Sequence, residues 1–383
     1  LDGRGFRGRI DRTWRAASFS SLTHAAAAEA LAAAPPRAPD GLAPATADDS
    51  GRDHDAETAA AVGTDAIVAE IDDLDAGGGR PDAVMAASAG AATPGAAPGR
   101  AGAPAGMDRV ALDALPAGAD AGNVIHAVLE HADFAHFADA GTAGGRLRAS
   151  VARQLRQHGF DADAWADAVW AALADVVDTP LVAGAGGLNL RAIPQADRIT
   201  EMEFTFPVVS DRAPDGGRVT PAGLAAALAG EAVGPGFPAG YAERVRTLGF
   251  AALAGYLRGY VDLAFRRDGR WYLVDYKSNR LGPTYDHYAP DRLADAMARH
   301  HYVLQYHLYV VALHRFLCQR LGAAWDYERG FGGVLYLFVR GMHPGFGPRR
   351  GVFYDRPPAA LVERLSGLFD DPAAAAPGRG AAR

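Results

Sequence analysis

The stretch RGYVDLAFRRDGRWYLVDYKSNRLG, residues 258–282, restricts the possible folds of this chain more than any other segment. Two runs of alternating residues meet at Asp268-Gly269, the kind of dipeptide that closes a two-residue hairpin. With those two as the loop, opposed positions sum to 537, so Asp262 is expected directly across from Asp275 and Tyr260 across from Lys277. Strict alternation then puts Tyr260, Asp262, Ala264, Leu273, Asp275 and Lys277 on one face, and Val261, Leu263, Phe265, Tyr272, Val274 and Tyr276 on the other. Opposed carboxylates would have Cβ atoms about 4.5–5.5 Å apart, a like-charge pairing that destabilises a sheet unless something offsets it. A hard divalent cation with oxygen ligands at about 2.0–2.1 Å, as for magnesium, suits such a gap.

Beside Asp275 on the same face stands Lys277, the only lysine of the chain against 37 arginines. Arginine is a rigid, permanently charged fork, whereas a lysine amine is compact and can lose its proton when desolvated. A chain that writes arginine at every other basic position and lysine here points to a need for the amine. The ordinary alternative is a solvated Asp–Lys pair on a strand. The same count excludes a P-loop, because the sole lysine lies in YKSN and no Gly-Lys-Ser/Thr exists.

The hairpin sits in a folded region flanked by text of a different kind. From 25 to 106 the chain is Ala, Gly, Pro and Asp with hardly an aromatic residue, and it reads as a disordered linker. Between Asp40 and Asp82 there are twelve acidic residues and two arginines, a local charge of −10. The whole chain carries −7, so the remainder is about +3 and the overall acidity does not argue against a polyanionic partner. Residues 107–371 form the expected domain, with helical patterns at 121–137, 145–175 and 291–321 and strand patterns at 200–208, 258–266, 271–277 and 333–340. Residues 372–383 form a second low-complexity tail. Residues 1–24 hold one short strand-like stretch, WRAASFSSL. The single cysteine, Cys318, excludes an internal disulfide, a Cys-rich zinc site and a four-thiolate iron–sulfur cluster. No apolar run reaches membrane-spanning length, and the start LDGRGFRGRIDR lacks a signal-peptide pattern, so a cytoplasmic protein without a membrane partner is expected. The first residue, Leu1, suggests a piece of a longer polypeptide.

At the hairpin and four further stretches the chain resembles the PD-(D/E)XK nuclease superfamily, in its RecB-type branch. The stretches are LPAGADAGNVIHAVLEHADF (115–134), EMEFTFP (201–207), GYVDLAFRRDGRWYLVDYKSNRLG (259–282), LQYHLYVVALHRFL (304–317) and GGVLYLFVRGM (332–342). The resemblance implies an α/β fold of the restriction-endonuclease-like kind, a mixed sheet flanked by helices, and a functional pattern falling on His126, Glu201, Asp262, Asp275, Lys277, Gln305 and Tyr309. It implies a Mg2+-dependent exonuclease acting on linear single- and double-stranded DNA, with Asp262, Asp275, His126 and the main-chain carbonyl of Tyr276 around the metal. It further implies the gamma and alpha subunits of an exodeoxyribonuclease V complex as partners, and contact with a recombinase. WRAASFSSL would be the end of a preceding helicase portion. A catalytically silent DNA-binding or docking module is the alternative, although the acidic pair and the lysine are both intact.

Each further residue has an ordinary reading as well. His126 and Glu130 lie four apart on one helix face, where a histidine is commonly structural and a glutamate solvated. Glu201, Glu203 and Thr205 share the polar face of their strand. Gln305 and Tyr309 flank a core stripe of Leu304, Leu308 and Val311, either to orient Lys277 and a phosphate or to cap the sheet. Arg258, Arg266, Arg267, Arg270 and Arg280 surround the hairpin as candidate phosphate contacts.

Overall fold

A computed structural model describes residues 15–19, 22–23, 109–183, 187–208, 219–229, 236–250, 253 and 255–369. The linker expected over 25–106 and the tail from 372 lie outside the described residues.

The hairpin forms as its turn chemistry dictates. Asp268 and Gly269 both take positive φ, 52° and 75°, joining β3 (Gly255–Arg267) to β4 (Arg270–Lys277). The expected register holds from Arg267↔Arg270 to Leu263↔Val274. There the ladder ends, and the predicted pairs Asp262↔Asp275 and Tyr260↔Lys277 do not form. Beyond it the strands part. β4 continues beside β5 (Phe331–Phe338) in parallel as far as Lys277↔Phe338, while β3 runs on against β2 (Arg198–Val208). β6 (Val352–Asp355) closes the far edge. β1 (Arg15–Ala17) pairs in parallel with Gly255–Leu257, on the same edge of β3 that β4 uses at the other end. The result is a mixed six-stranded sheet with a fork between β3 and β4.

Helices cover both faces. On one side lie α1 (Ala119–His131), α2 (Thr142–Gln157) and α3 (Ala162–Asp178), over a core that includes Leu263, Phe265, Val274 and Leu337. On the other lie α4 (Pro221–Leu228), α5 (Tyr241–Arg246), α6 (Pro290–Arg299), α7 (Tyr302–Leu321) and α8 (Ala359–Gly367), over Ala264, Leu273, Tyr336 and Phe338. Every residue of β5 is buried, as expected of a strand covered on both faces.

Three expectations need correction. The helical patterns at 145–175 and 291–321 are each two helices. Gly159 at φ 78° ends the first run, and Asp161 caps the next helix by accepting from the amides of Asp163 and Ala164. His301 at φ 56° separates α6 from α7. The boundary that set residues 1–24 apart also moves, since β1 belongs to this sheet and Phe19 and Leu22 are buried in the α7-side core. Finally, alternation slips on two strands at once. Ile199 and Met202 face the same core, as do Val261 and Ala264, so a residue of each strand falls outside the period. Those residues are Glu201 and Asp262, the one pair missing from an otherwise continuous β2–β3 register. Glu201 takes φ 51°, a left-handed conformation that costs a non-glycine residue about 1–3 kcal/mol and persists only where its surroundings enforce it.

Candidate active site

The fork gathers the hairpin carboxylates, the lysine and one face of each flanking helix. Where the β3–β4 ladder stops, a side chain takes over its hydrogen bonding: Asp262 Oδ2 accepts from the Tyr276 amide at 2.7 Å. Asp262 Oδ1 lies 3.5 Å from His126 Nδ1, which α1 carries in from the other layer. Asp275 Oδ1 lies 2.6 Å from Lys277 Nζ. From α7, Gln305 Oε1 accepts from Lys277 Nζ at 3.3 Å and from the Tyr336 hydroxyl at 2.9 Å, while Gln305 Nε2 donates to the Tyr309 hydroxyl at 3.0 Å. His126, Asp262, Asp275, Lys277 and Gln305 are each less than a tenth exposed. Glu201 stands at the break in the β2–β3 ladder, half-buried and opposite Asp262 in register.

Burial and charge act against each other here. Desolvation raises the Asp275 carboxyl and the like charge of Asp262 adds to it. Lys277 only partly offsets the two, so its pKa rises from 3.8 to about 6. Burial also opposes ionisation of Asp262, but the His126 imidazole, Lys277 and the Tyr276 amide outweigh it and hold that carboxyl below its ordinary value. Burial disfavours the His126 imidazolium, yet Asp262 beside it shifts the ring upward. Lys277 behaves likewise: desolvation disfavours its charge, Asp275 restores it, and the net direction is upward. In this arrangement Lys277 is an ammonium that donates, rather than a neutral amine that accepts.

Two carboxylates are donors that a hard divalent cation takes, and beside them stands an imidazole, a common metal ligand. Asp275 Oδ1 is buried and receives no hydrogen bond of good geometry, the lysine contact being an ion pair only. Among the described residues no three His, Cys, Asp or Glu side chains already converge on one point, because Asp262 is turned to the Tyr276 amide and Asp275 to Lys277. The short supply of positive charge around Asp275 is what a cation would remedy. The donor set therefore fits such an ion, which Asp262, Asp275 and His126 would hold.

The other expected residues divide. Glu203 is ion-paired with Arg258 at 2.8 Å, and Glu130 lies 3.6 Å from His131. The arginines near the hairpin are occupied by the protein: Arg267 and Arg270 donate to main-chain carbonyls, and Arg280 pairs with Asp113. Sequence reasoning missed Tyr302 and Tyr336, whose rings meet the lysine ammonium, and Asn279, whose Oδ1 accepts from the Tyr302 hydroxyl. It also missed Arg340, a buried guanidinium donating to the carbonyls of Leu112, Leu115, Pro116 and Ser278. That side chain ties the segment entering α1 to the turn after Lys277. The available signal was a tyrosine and an arginine in the otherwise apolar run GVLYLFVRG.

Comparison with known proteins shows the family of the chain. The model of the PD-(D/E)XK nuclease superfamily matches residues 105–367. The RecBCD enzyme subunit RecB of Mycobacterium tuberculosis (strain ATCC 25618 / H37Rv) is 37% identical over 393 residues, covering 96% of this chain and 30% of that protein. The subunit of the same name from Escherichia coli (strain K12) is 33% identical over 255 residues, covering 67% of this chain and 19% of that protein. That of Haemophilus influenzae is 49% identical over 123 residues, 32% of this chain. The chain thus spans less than a third of the length of these relatives.

Proposed function

From a chain that belongs to the PD-(D/E)XK nuclease superfamily, we propose a magnesium-dependent DNA exonuclease, the nuclease portion of a RecBCD-type helicase/nuclease acting in double-strand-break repair and recombination. The observation that carries this reading is the fork itself. It brings Asp262, Asp275, Lys277 and His126 together, buried, where β3 and β4 separate. PD-(D/E)XK nucleases generally use divalent metal ions.

A bound divalent cation supplies charge that polarises a phosphate and lowers the pKa of water. Asp262, Asp275, His126 and the main-chain carbonyl of Tyr276 would hold it, with Glu201 at the break beside Asp262. The Tyr276 amide fixes the direction of the Asp262 carboxylate. Lys277, kept protonated, orients the attacking water and donates to charge developing on the phosphoryl oxygens. Gln305 and Tyr309 hold the lysine in that orientation.

The same reading gives linear single- and double-stranded DNA as substrate, the gamma and alpha subunits of such a complex as partners, a recombinase contact, and a cytoplasmic setting. Among the described residues no helix is long and apolar enough to cross a membrane. It keeps residues 107–371 as the nuclease domain, now joined by the β1 segment, with 25–106 as a tether and 372–383 as a tail.

The test is hydrolysis of linear single- and double-stranded DNA with magnesium, with and without chelator, for the wild type and Asp275→Ala. Chelator-sensitive cleavage that Asp275→Ala abolishes is expected. DNA binding without any cleavage by the wild type would favour the docking module instead.

A further inference from the structure

Lys277 is the only lysine in the chain, and besides Asp275 its ammonium meets two phenol rings, that of Tyr302 on α7 and that of Tyr336, the β5 residue paired with Asp275. Its Nζ lies 4.1 Å from the ring centroid of Tyr302 and 5.3 Å from that of Tyr336. The ring centroids are 5.8 Å apart with planes at 36°, so the two make a corner rather than a stack. Each ring is itself pinned. The Tyr302 hydroxyl donates to Asn279 Oδ1 at 3.2 Å, and the Tyr336 hydroxyl donates to Gln305 Oε1, the same oxygen that accepts from the lysine. Tyr302, Tyr336 and Asn279 are all buried.

An ammonium on a four-carbon stem has many rotamers, and its strongest anchor here is Asp275. That anchor is also a proposed metal ligand. With a cation held by Asp275, the lysine would share its nearest anion and gain a repelling neighbour. The faces of neutral rings attract an ammonium through their quadrupole, more strongly when desolvated, and a metal ion does not compete for them. Gln305, held from one side by Tyr336, is the second neutral anchor.

We propose that Tyr302 and Tyr336 are positioning residues that form a corner holding the Lys277 ammonium at the fork, with the Tyr336 hydroxyl setting the Gln305 carbonyl that receives it. The proposal rests on the reading of Lys277 as the lysine of a nuclease site. Both tyrosines act through Lys277 and neither is assigned a contact with substrate.

The single lysine makes the arrangement directly observable. In the full chain labelled with 13C,15N-lysine, one set of side-chain resonances reports Lys277 alone. Ring-current shifts of its ε and δ protons are expected in the wild type, retained in Tyr302→Phe and largely lost in Tyr302→Leu. In steady-state cleavage of linear DNA, Tyr302→Leu should lower kcat about 10- to 30-fold, the range of a desolvated cation–π contact, with KM changed by no more than about threefold. Tyr302→Phe should recover most of that loss. Tyr336→Phe keeps the ring but loses its hold on Gln305, so it should slow kcat and be non-additive with Gln305→Leu. A wild-type lysine without ring-current shifts, or one unchanged in Tyr302→Leu, overturns the corner. Unchanged kcat in a folded Tyr302→Leu, or a Tyr302→Phe as slow as Tyr302→Leu, overturns the positioning role. A wild type that hydrolyses no DNA overturns the underlying nuclease reading instead, and the lysine resonance still decides the corner.

Discussion

Replacing Asp275 by asparagine should stabilise the metal-free protein while abolishing its response to metal. The folded-state pKa of Asp275 is raised from 3.8 to about 6, first by burial and then by Asp262, with Lys277 compensating only in part. A carboxyl raised on folding contributes its full stability below the unfolded value, where both states are protonated, and loses it as pH climbs through the folded value. Between about pH 4 and 6 the loss amounts to 1.36 kcal/mol per pH unit, so the shift corresponds to about 3 kcal/mol by pH 7. Asparagine cannot ionise and avoids that cost, though it gives up the ion pair with Lys277, so about 1–3 kcal/mol of net gain is expected. For a domain of this size that is a rise in Tm of some 2–8 °C. The assay is urea or thermal unfolding of both proteins in chelator from pH 4 to 8, then again with calcium. The difference between variant and wild type, which cancels His126 and Asp262 to first order, should grow from pH 4 to 7. Calcium should stabilise the wild type and leave the variant unmoved. A variant less stable than the wild type at pH 7.5 in chelator, or a difference that shrinks as pH rises, would refute the assignment of a strained, metal-seeking carboxylate.

Three further outcomes are expected. Lys277→Arg keeps the charge but replaces a compact donor by a planar fork too large for the tyrosine corner, so cleavage should fall by about 10²-fold or more, while DNA and metal affinities measured in calcium stay within a few fold. Arg340→Met removes the donors for four main-chain carbonyls and should cost about 3–5 kcal/mol in urea unfolding, with calcium affinity falling as α1 loses its tie to the fork. Deleting residues 25–106 while rejoining the β1 segment should leave Tm within about 2 °C, whereas deleting 1–106 strips β1 from β3 and removes buried Phe19 and Leu22, each worth about 1.5–3 kcal/mol. Equal stability of the two deletions would return β1 to the status of a detached remnant.

Much of this molecule is already determined locally. Asp268-Gly269 dictates a primed turn, the turn dictates register, and register brings Asp262 and Asp275 to the same end of the hairpin without reference to the rest of the chain. The lone lysine marks itself by composition, and Gln305 and Tyr309 fall on one helix face because four residues make about one turn. What local periodicity cannot supply is where it stops. The ladder ends one pair short of the two aspartates, beyond which β4 stays beside β5 and β3 beside β2, partners distant in sequence. Alternation slips at Glu201 and Asp262 next to that point, placing both in a gap instead of on a regular face. The break at His301, whose ring meets the Tyr241 hydroxyl, and the capture of Arg15–Ala17 by the edge of β3 depend likewise on partners far along the chain. The charge states are the last to be decided. Whether Asp275 is a comfortable anion or a carboxyl with a pKa near 6 depends on how much water the folded layers exclude and how near Asp262, His126 and Lys277 come, and only the packed tertiary structure sets those distances.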